Sequence, residues 1–107
     1  MSDFFYPKDG PKNFQKLMDL NKDLFASFIA FNQKVFEEGK LSIKVKELIA
    51  VACAHITRCP YCIDSHIQKA KQAGATDEEI SEVIFVAVAM NAGASFAHSC
   101  ISMDSLK

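Results

Sequence analysis

Two thiols and an imidazole fall within one short run, Arg58-Cys59-Pro60-Tyr61-Cys62-Ile63-Asp64-Ser65-His66, and a carboxylate, Glu47, stands twelve residues before the first thiol. This is the equipment of a redox dithiol with proton carriers beside it. Pro60 suits the first position of a helix, because its fixed φ matches and its missing N–H has no partner there in any case. Cys59 is then expected at the N-cap and Cys62 in the first turn. Unpaired N–H groups and the positive end of the helix dipole favour an anion at that place, and thiols so placed ionise more easily. The size of the effect decides the chemistry. An ordinary thiol, of pKa about 8.5, is roughly 3% ionised at pH 7, whereas one about two units lower is roughly three-quarters ionised. His66 follows Cys62 by four residues, on the same helix face, where it can hold or relay the thiol proton near neutral pH.

The elements that must position these groups read as helices. One over about Ile43 to Thr57 opens at Ser42, a suitable N-cap. At about 100° per residue, Glu47 shares a stripe there with Ile43, Ala50, Val51 and Ala54. A glutamate on a small, apolar face is expected to be partly buried, where a carboxyl becomes a usable proton carrier. The spacing equally allows an exposed Glu47 paired with Lys44 or Lys40, and the residues alone leave both readings open. Cys53 falls on the opposite side with Ile49 and Ile56 and reads as an inert core cysteine. His55 lies between the two faces and reads as structural.

The dithiol helix is expected from about Pro60 to Ala73, with Gly74 as its stop and Ile63, Ile67 and Ala70 as its core stripe. Thr76-Asp77-Glu78-Glu79 then opens a helix with an N-cap, a glutamate three residues on, and acids in the first turn. That helix is predicted to end near Met90. Another, about Ala94 to Asp104, presents Phe96, Ala97, Cys100, Ile101 and Met103, with Cys100 read as inert. Asn91 and His98, on or between these two helices, read as structural hydrogen-bonding groups. Upstream, Met1 to Gly10 reads as an extended arm that lays Phe4, Phe5 and Tyr6 on a neighbouring surface. Helices over about Pro11 to Leu20 and Lys22 to Glu38 follow, and Gly39 ends the second. Its apolar stripe, with Leu24, Phe25, Phe28, Ile29, Phe31, Val35 and Phe36, reads as core. No strand-like alternation, repeat or low-complexity tract appears. The reading is all-α, one domain over residues 1–107 with about six helices.

Composition narrows the function classes. Half of the 107 residues are hydrophobic, ample for one modest core, and twelve basic against thirteen acidic side chains leave the charge near zero. Without a basic cluster, nucleic-acid binding through phosphates is disfavoured. The acidic, aromatic N-terminus lacks the pattern of a signal peptide, which points to the cytoplasm, where cysteines stay reduced unless catalytic or metal-bound. From Val83 to Met103 no charged residue occurs. Polar residues interrupt that stretch, and the continuous apolar run Val83–Met90 is too short to cross a bilayer. A membrane span is therefore not expected; a buried helix followed by one facing a second subunit is.

Taken together, Lys46-Glu47-Leu48-Ile49-Ala50-Val51-Ala52, then Cys59-Pro60-Tyr61-Cys62 with His66, then Gly74-Ala75-Thr76 and Glu79-Ile80-Ser81-Glu82-Val83, resemble the alkylhydroperoxidase D-like, or carboxymuconolactone decarboxylase-like, superfamily. The resemblance covers about Leu41 to Ala97. It implies a compact helical unit that assembles as a homo-oligomer, a trimer or hexamer. It also implies, without a bound cofactor, a peroxidase whose hydroperoxide substrate is reduced by the dithiol and whose electrons come from an external dithiol such as a lipoyl-type carrier. Carried over by position, Cys62 becomes the peroxide-attacking thiolate, Cys59 its resolving partner, and Glu47 with His66 the proton relay. Some redox members carry a histidine between the cysteines, where Tyr61 stands here.

Other readings stand beside this one. The decarboxylase branch does not use such a dithiol. A glutaredoxin requires a strand before the motif and a later cis-proline loop, yet no proline follows Pro60. A zinc module could draw on Cys53, Cys59, Cys62 and His66, although Cys53 is expected on another face. A scaffold or redox sensor with little turnover is the remaining alternative.

Overall fold

The computed structural model describes residues 9–107. The expected aromatic contacts of Phe4, Phe5 and Tyr6 lie outside them. A single 3-10 turn, Gly10–Asn13, leads into five helices: α1 (Phe14–Leu20), α2 (Lys22–Phe36), α3 (Ile43–Thr57), α4 (Pro60–Gln72) and α5 (Asp77–Asp104). The fold is all-α.

Local chemistry accounts for the boundaries around the dithiol. The Ser42 hydroxyl accepts the Val45 N–H at 3.2 Å and starts α3. Arg58 ends it in the left-handed conformation, φ 59° and ψ 47°, and the Arg58 and Cys59 N–H groups both turn back to the carbonyl of Ala54. That tight reversal delivers Cys59 straight to the mouth of α4. Gly74, at φ 99°, closes the end of α4 where a Cβ would be strained. Thr76 and Glu79 form the expected reciprocal cap of α5, Thr76 Oγ1 accepting the Glu79 N–H at 3.1 Å and Glu79 Oε1 accepting the Thr76 N–H at 2.9 Å.

The core lies where α3, α4 and the first half of α5 meet. Val51, Ala70, Ala75 and Ile80 are buried there, with Leu48, Ile67, Val83 and Ile84 packed against them. Small residues on facing helices, Ala54 and Ala70 among them, let α3 and α4 lie close together.

Three expectations change. The predicted break near Met90 is absent: α5 runs unbroken through Gly93 for 28 residues, about 42 Å at 1.5 Å per residue. One glycine costs a helix only about 1 kcal/mol, which its strongly helix-forming neighbours override. By length and composition α5 is therefore apolar enough to cross a membrane. Secondly, α2 has no buried residue, so Leu24, Phe28 and Phe31 are exposed rather than core. Phe25, Ile29 and Phe36 of the same stripe are half-buried. Thirdly, Cys53 and Cys100 are exposed thiols. Helix α3 is packed by α4 on one side and α5 on another, which leaves the Ile49–Cys53–Ile56 sector open; Cys100 lies on the uncovered end of α5.

A pH effect follows from the cap of α5. The Lys44 ammonium, 2.7 Å away, and the Thr76 N–H hold the Glu79 carboxyl below its usual range. A lowered folded-state value means that this contribution is present above the unfolded carboxylate value, about 4.3, and is lost as pH falls through the folded value. Glu79→Gln is expected to lower the denaturant midpoint at neutral pH and to converge with the unsubstituted protein in acid. An equal gap at both pH values would contradict the cap.

Candidate active site

The four candidate residues come from two helices. Cys59 occupies the N-cap of α4, and its Sγ accepts the Cys62 backbone N–H at 3.2 Å. Its sulfur is paired with that of Cys62 in a disulfide, with Cα atoms 5.2 Å apart, inside the ordinary range for such a bridge. One turn further along α4, His66 Nδ1 lies 2.6 Å from Oε1 of Glu47 on α3. Glu47 is 4% exposed. Of the two readings left open above, the structure therefore has the buried one; Lys44 is turned to Glu79 instead.

The environments of the two sulfurs differ. Cys62 and His66 open on an apolar cleft of about 500 Å³, walled by Phe36, Ile49, Ala50 and Cys53 among others. Cys59 does not line it; its sulfur faces the first N–H groups of α4. With Nδ1–H donating to the Glu47 carboxylate, the other ring nitrogen, Nε2, is the one left to exchange a proton with groups in the cleft. His55 takes no part, since its Nδ1 meets the carbonyl of Val51 at 2.8 Å on its own helix. His98 and Asn91 are exposed on α5, away from the cleft lining. Among the described residues, no cluster of three or more His, Cys, Asp or Glu side chains has the arrangement to hold a metal ion.

Two contributors escaped the reading of the sequence. Phe36, assigned to a core stripe, stacks on the imidazole of His66 with centroids 5.2 Å apart and planes 22° from parallel. It is held there by Lys46, whose ammonium donates to the backbone carbonyls of Val35, at 2.7 Å, and Glu37. Those are orphan acceptors at the end of α2, where a cation is favoured. A lysine ten residues past a helix end has no local periodicity to announce this contact. Tyr61, between the cysteines, meets Phe14 edge-on at 6.2 Å and so faces α1.

An all-helical unit with a Cys-x-x-Cys pair at a helix mouth, backed by a glutamate–histidine bond, defines a class of dithiol protein. The comparisons make the class specific: residues 22–103, well over half the chain, match the model of the carboxymuconolactone decarboxylase family, and the chain belongs to that family. An uncharacterised protein of the cox locus of Paracoccus denitrificans is 49% identical over 73 residues, which are 68% of this chain and 66% of that protein. The chain thus spans just under two thirds of that relative's length. A carboxymuconolactone decarboxylase family protein from Legionella pneumophila superposes with a TM-score of 0.74 at 34% identity, covering 87% of this chain and 83% of the other. A family member from Thermotoga maritima, described with a suggested involvement in antioxidative response, gives 0.57 at 27% identity over 78% and 95% of the two chains.

Proposed function

We propose that this protein is a thiol-dependent peroxidase that also acts as a disulfide reductase, cycling Cys59 and Cys62 between dithiol and disulfide. The observation that carries the reading is the shared cleft: Cys62 and His66 open on the same apolar space, and His66 is anchored from behind by Glu47. In the reduced protein the Cys62 thiolate attacks the distal peroxide oxygen, the O–O bond breaks, and the leaving alkoxide takes a proton from Nε2 of His66. Cys62 is then a sulfenic acid. The Cys59 thiol condenses with it, forming the disulfide and releasing water.

The unequal placement of the sulfurs orders the return step. Cys62 faces the cleft, so an external dithiol reaches that sulfur first. Attack there expels Cys59, whose negative charge the Cys62 N–H and the start of α4 stabilise. A stabilised thiolate leaves faster. The second thiol of the donor then resolves the mixed disulfide, leaving Cys62 reduced and the donor oxidised. The apolar walls favour an organic hydroperoxide and a carrier with an apolar arm, a lipoyl-type group among them. The antioxidative description of the Thermotoga maritima relative points the same way.

Self-association belongs to the same proposal. Every residue from Val88 to Lys107 is exposed, and this half of α5 includes Phe96, Ile101 and Met103. Large apolar side chains exposed in that number mark an interaction site. Helix α5 begins with Asp77, Glu78 and Glu79 and packs its first half on α3. A second copy of the chain therefore suits the uncovered half better than a lipid bilayer does, and the family resemblance implies a trimer or hexamer.

The chemistry is tested by hydroperoxide consumption with a panel of dithiol donors. Cys62→Ser is expected to abolish turnover. Cys59→Ser is expected to leave a sulfenic acid that a dimedone probe traps before any donor is added. Full turnover by Cys62→Ser overturns the assignment. Sedimentation in the same buffer reads the assembly: a stable monomer, or recovery only with membranes, contradicts the second copy.

A further inference from the structure

A second cleft lies on the other side of the α3–α4 contact. It also encloses about 500 Å³ and is the more polar of the two: Glu38, Ser42, Lys44, Lys69 and Gln72 contribute, beside Ile43 and Ala73. Glu47 lines this polar cleft and not the apolar one, while His66 lines the apolar cleft and not this one. The 2.6 Å bond between the two side chains is therefore a bridge from one cleft to the other. Glu47 is otherwise enclosed, its side chain 6% exposed against 19% for His66.

We propose that the polar cleft is the proton port of the dithiol site, with Lys69 as the positioning residue that favours an anionic carboxylate at its floor. The inference rests on the peroxidase reading above and deepens it. When Cys62 ionises, its proton passes to Nε2 of His66 and the Nδ1 proton passes to Glu47, whose carboxyl then donates back to Nδ1 and exchanges its proton with water in the polar cleft. When an alkoxide leaves, the same path runs backwards: Nε2–H protonates the oxygen, and Glu47 returns a proton to Nδ1. No proton is created or lost along the path, and none has to cross the apolar cleft while substrate fills it.

The charged groups around Glu47 support this use. Lys44, on α3, is turned to Glu79 of α5 at 2.7 Å, so much of its charge is already answered. Glu38 precedes α3 and is of the wrong sign to hold a carboxylate. Lys69, on α4 and three residues after His66, lines the cleft with no such carboxylate partner among the described ion pairs. His66 faces Glu47 from behind. A small carboxylate entering from solvent would meet Lys69 first and the Glu47 position at the end of its path.

Chemical rescue tests the port, with acetate as the probe. The readout is the rate at which iodoacetamide alkylates Cys62 in the reduced protein, followed peptide by peptide to separate Cys53 and Cys100. It needs no peroxide, so failure of the peroxidase reading leaves the test intact. Glu47→Ala is expected to slow alkylation about tenfold at neutral pH, as removal of a proton acceptor does. Acetate is expected to restore most of that rate. Adding Lys69→Met should weaken the rescue about threefold, the scale of one exposed charge pair. Adding Ile49→Trp, which narrows the apolar cleft, should slow alkylation with and without acetate alike and leave unchanged the ratio of the two rates that measures rescue. Absence of rescue, or rescue that ignores Lys69→Met and disappears with Ile49→Trp, overturns the port. Should Glu47→Ala not fold, Ala73→Phe tests the port in the otherwise native chain. A bulky side chain in the lining of this cleft is expected to slow Cys62 alkylation and raise its solvent deuterium isotope effect, and unchanged values overturn the proposal.

Discussion

One buried contact organises this molecule: the bond between the Glu47 carboxylate on α3 and the His66 imidazole on α4. A carboxylate so far removed from water is costly without a partner, and here the partner comes from the next helix. The pair thereby sets the rotation of α4 about its axis relative to α3. Since Cys62 lies four residues before His66, on the same face, fixing the imidazole also fixes where that sulfur points. The contact that joins the two helices is thus also the one that sets the geometry of the proposed chemistry.

The surrounding packing serves it. Small side chains at Ala54 and Ala70 bring the two helices close enough for a short carboxylate to reach a ring nitrogen. The left-handed turn at Arg58 leaves only two residues between α3 and α4, so the dithiol begins where the glutamate helix ends. Helix α2 contributes only its last turn, held by Lys46 and used to lay Phe36 against His66. Stacking covers one face of the ring. The clefts on either side then differ in character, apolar at the sulfur and polar at the carboxylate.

How much of this the sequence disclosed depended on whether the cause was local. Helix α3 begins and ends at the expected Ile43 and Thr57, and the caps at Ser42, Cys59 and Thr76 are where their side chains predict, because capping is settled within four residues. The partnership of Glu47 was undecided from spacing, since an intrahelical lysine and a neighbouring histidine compete and only tertiary packing chooses. Phe36 and Lys46 act through contacts between helices, which the apolar period of α2 marked as a face without naming His66, and which nothing local marked for Lys46. The stripe on α2 was read as core because periodicity reports an apolar face but not what covers it. Cys53 was misplaced for that reason too: its sector of α3 is apolar, yet it lines the site. Gly93 fails to break α5 because its penalty is small beside the propensity of the helix around it.

The chemistry of this site turns on the state of one imidazole. Long-range proton–nitrogen correlation spectra of the disulfide form, with the histidines labelled with nitrogen-15, report which ring nitrogen of His66 carries the proton near neutral pH. A carboxylate held against Nδ1 requires the proton there and a bare Nε2 on the cleft side, and Glu47→Gln should disturb that preference. If His66 instead carries its proton on Nε2, or averages between tautomers indifferently to Glu47→Gln, the bond does not govern the site and the mechanism built on it is wrong.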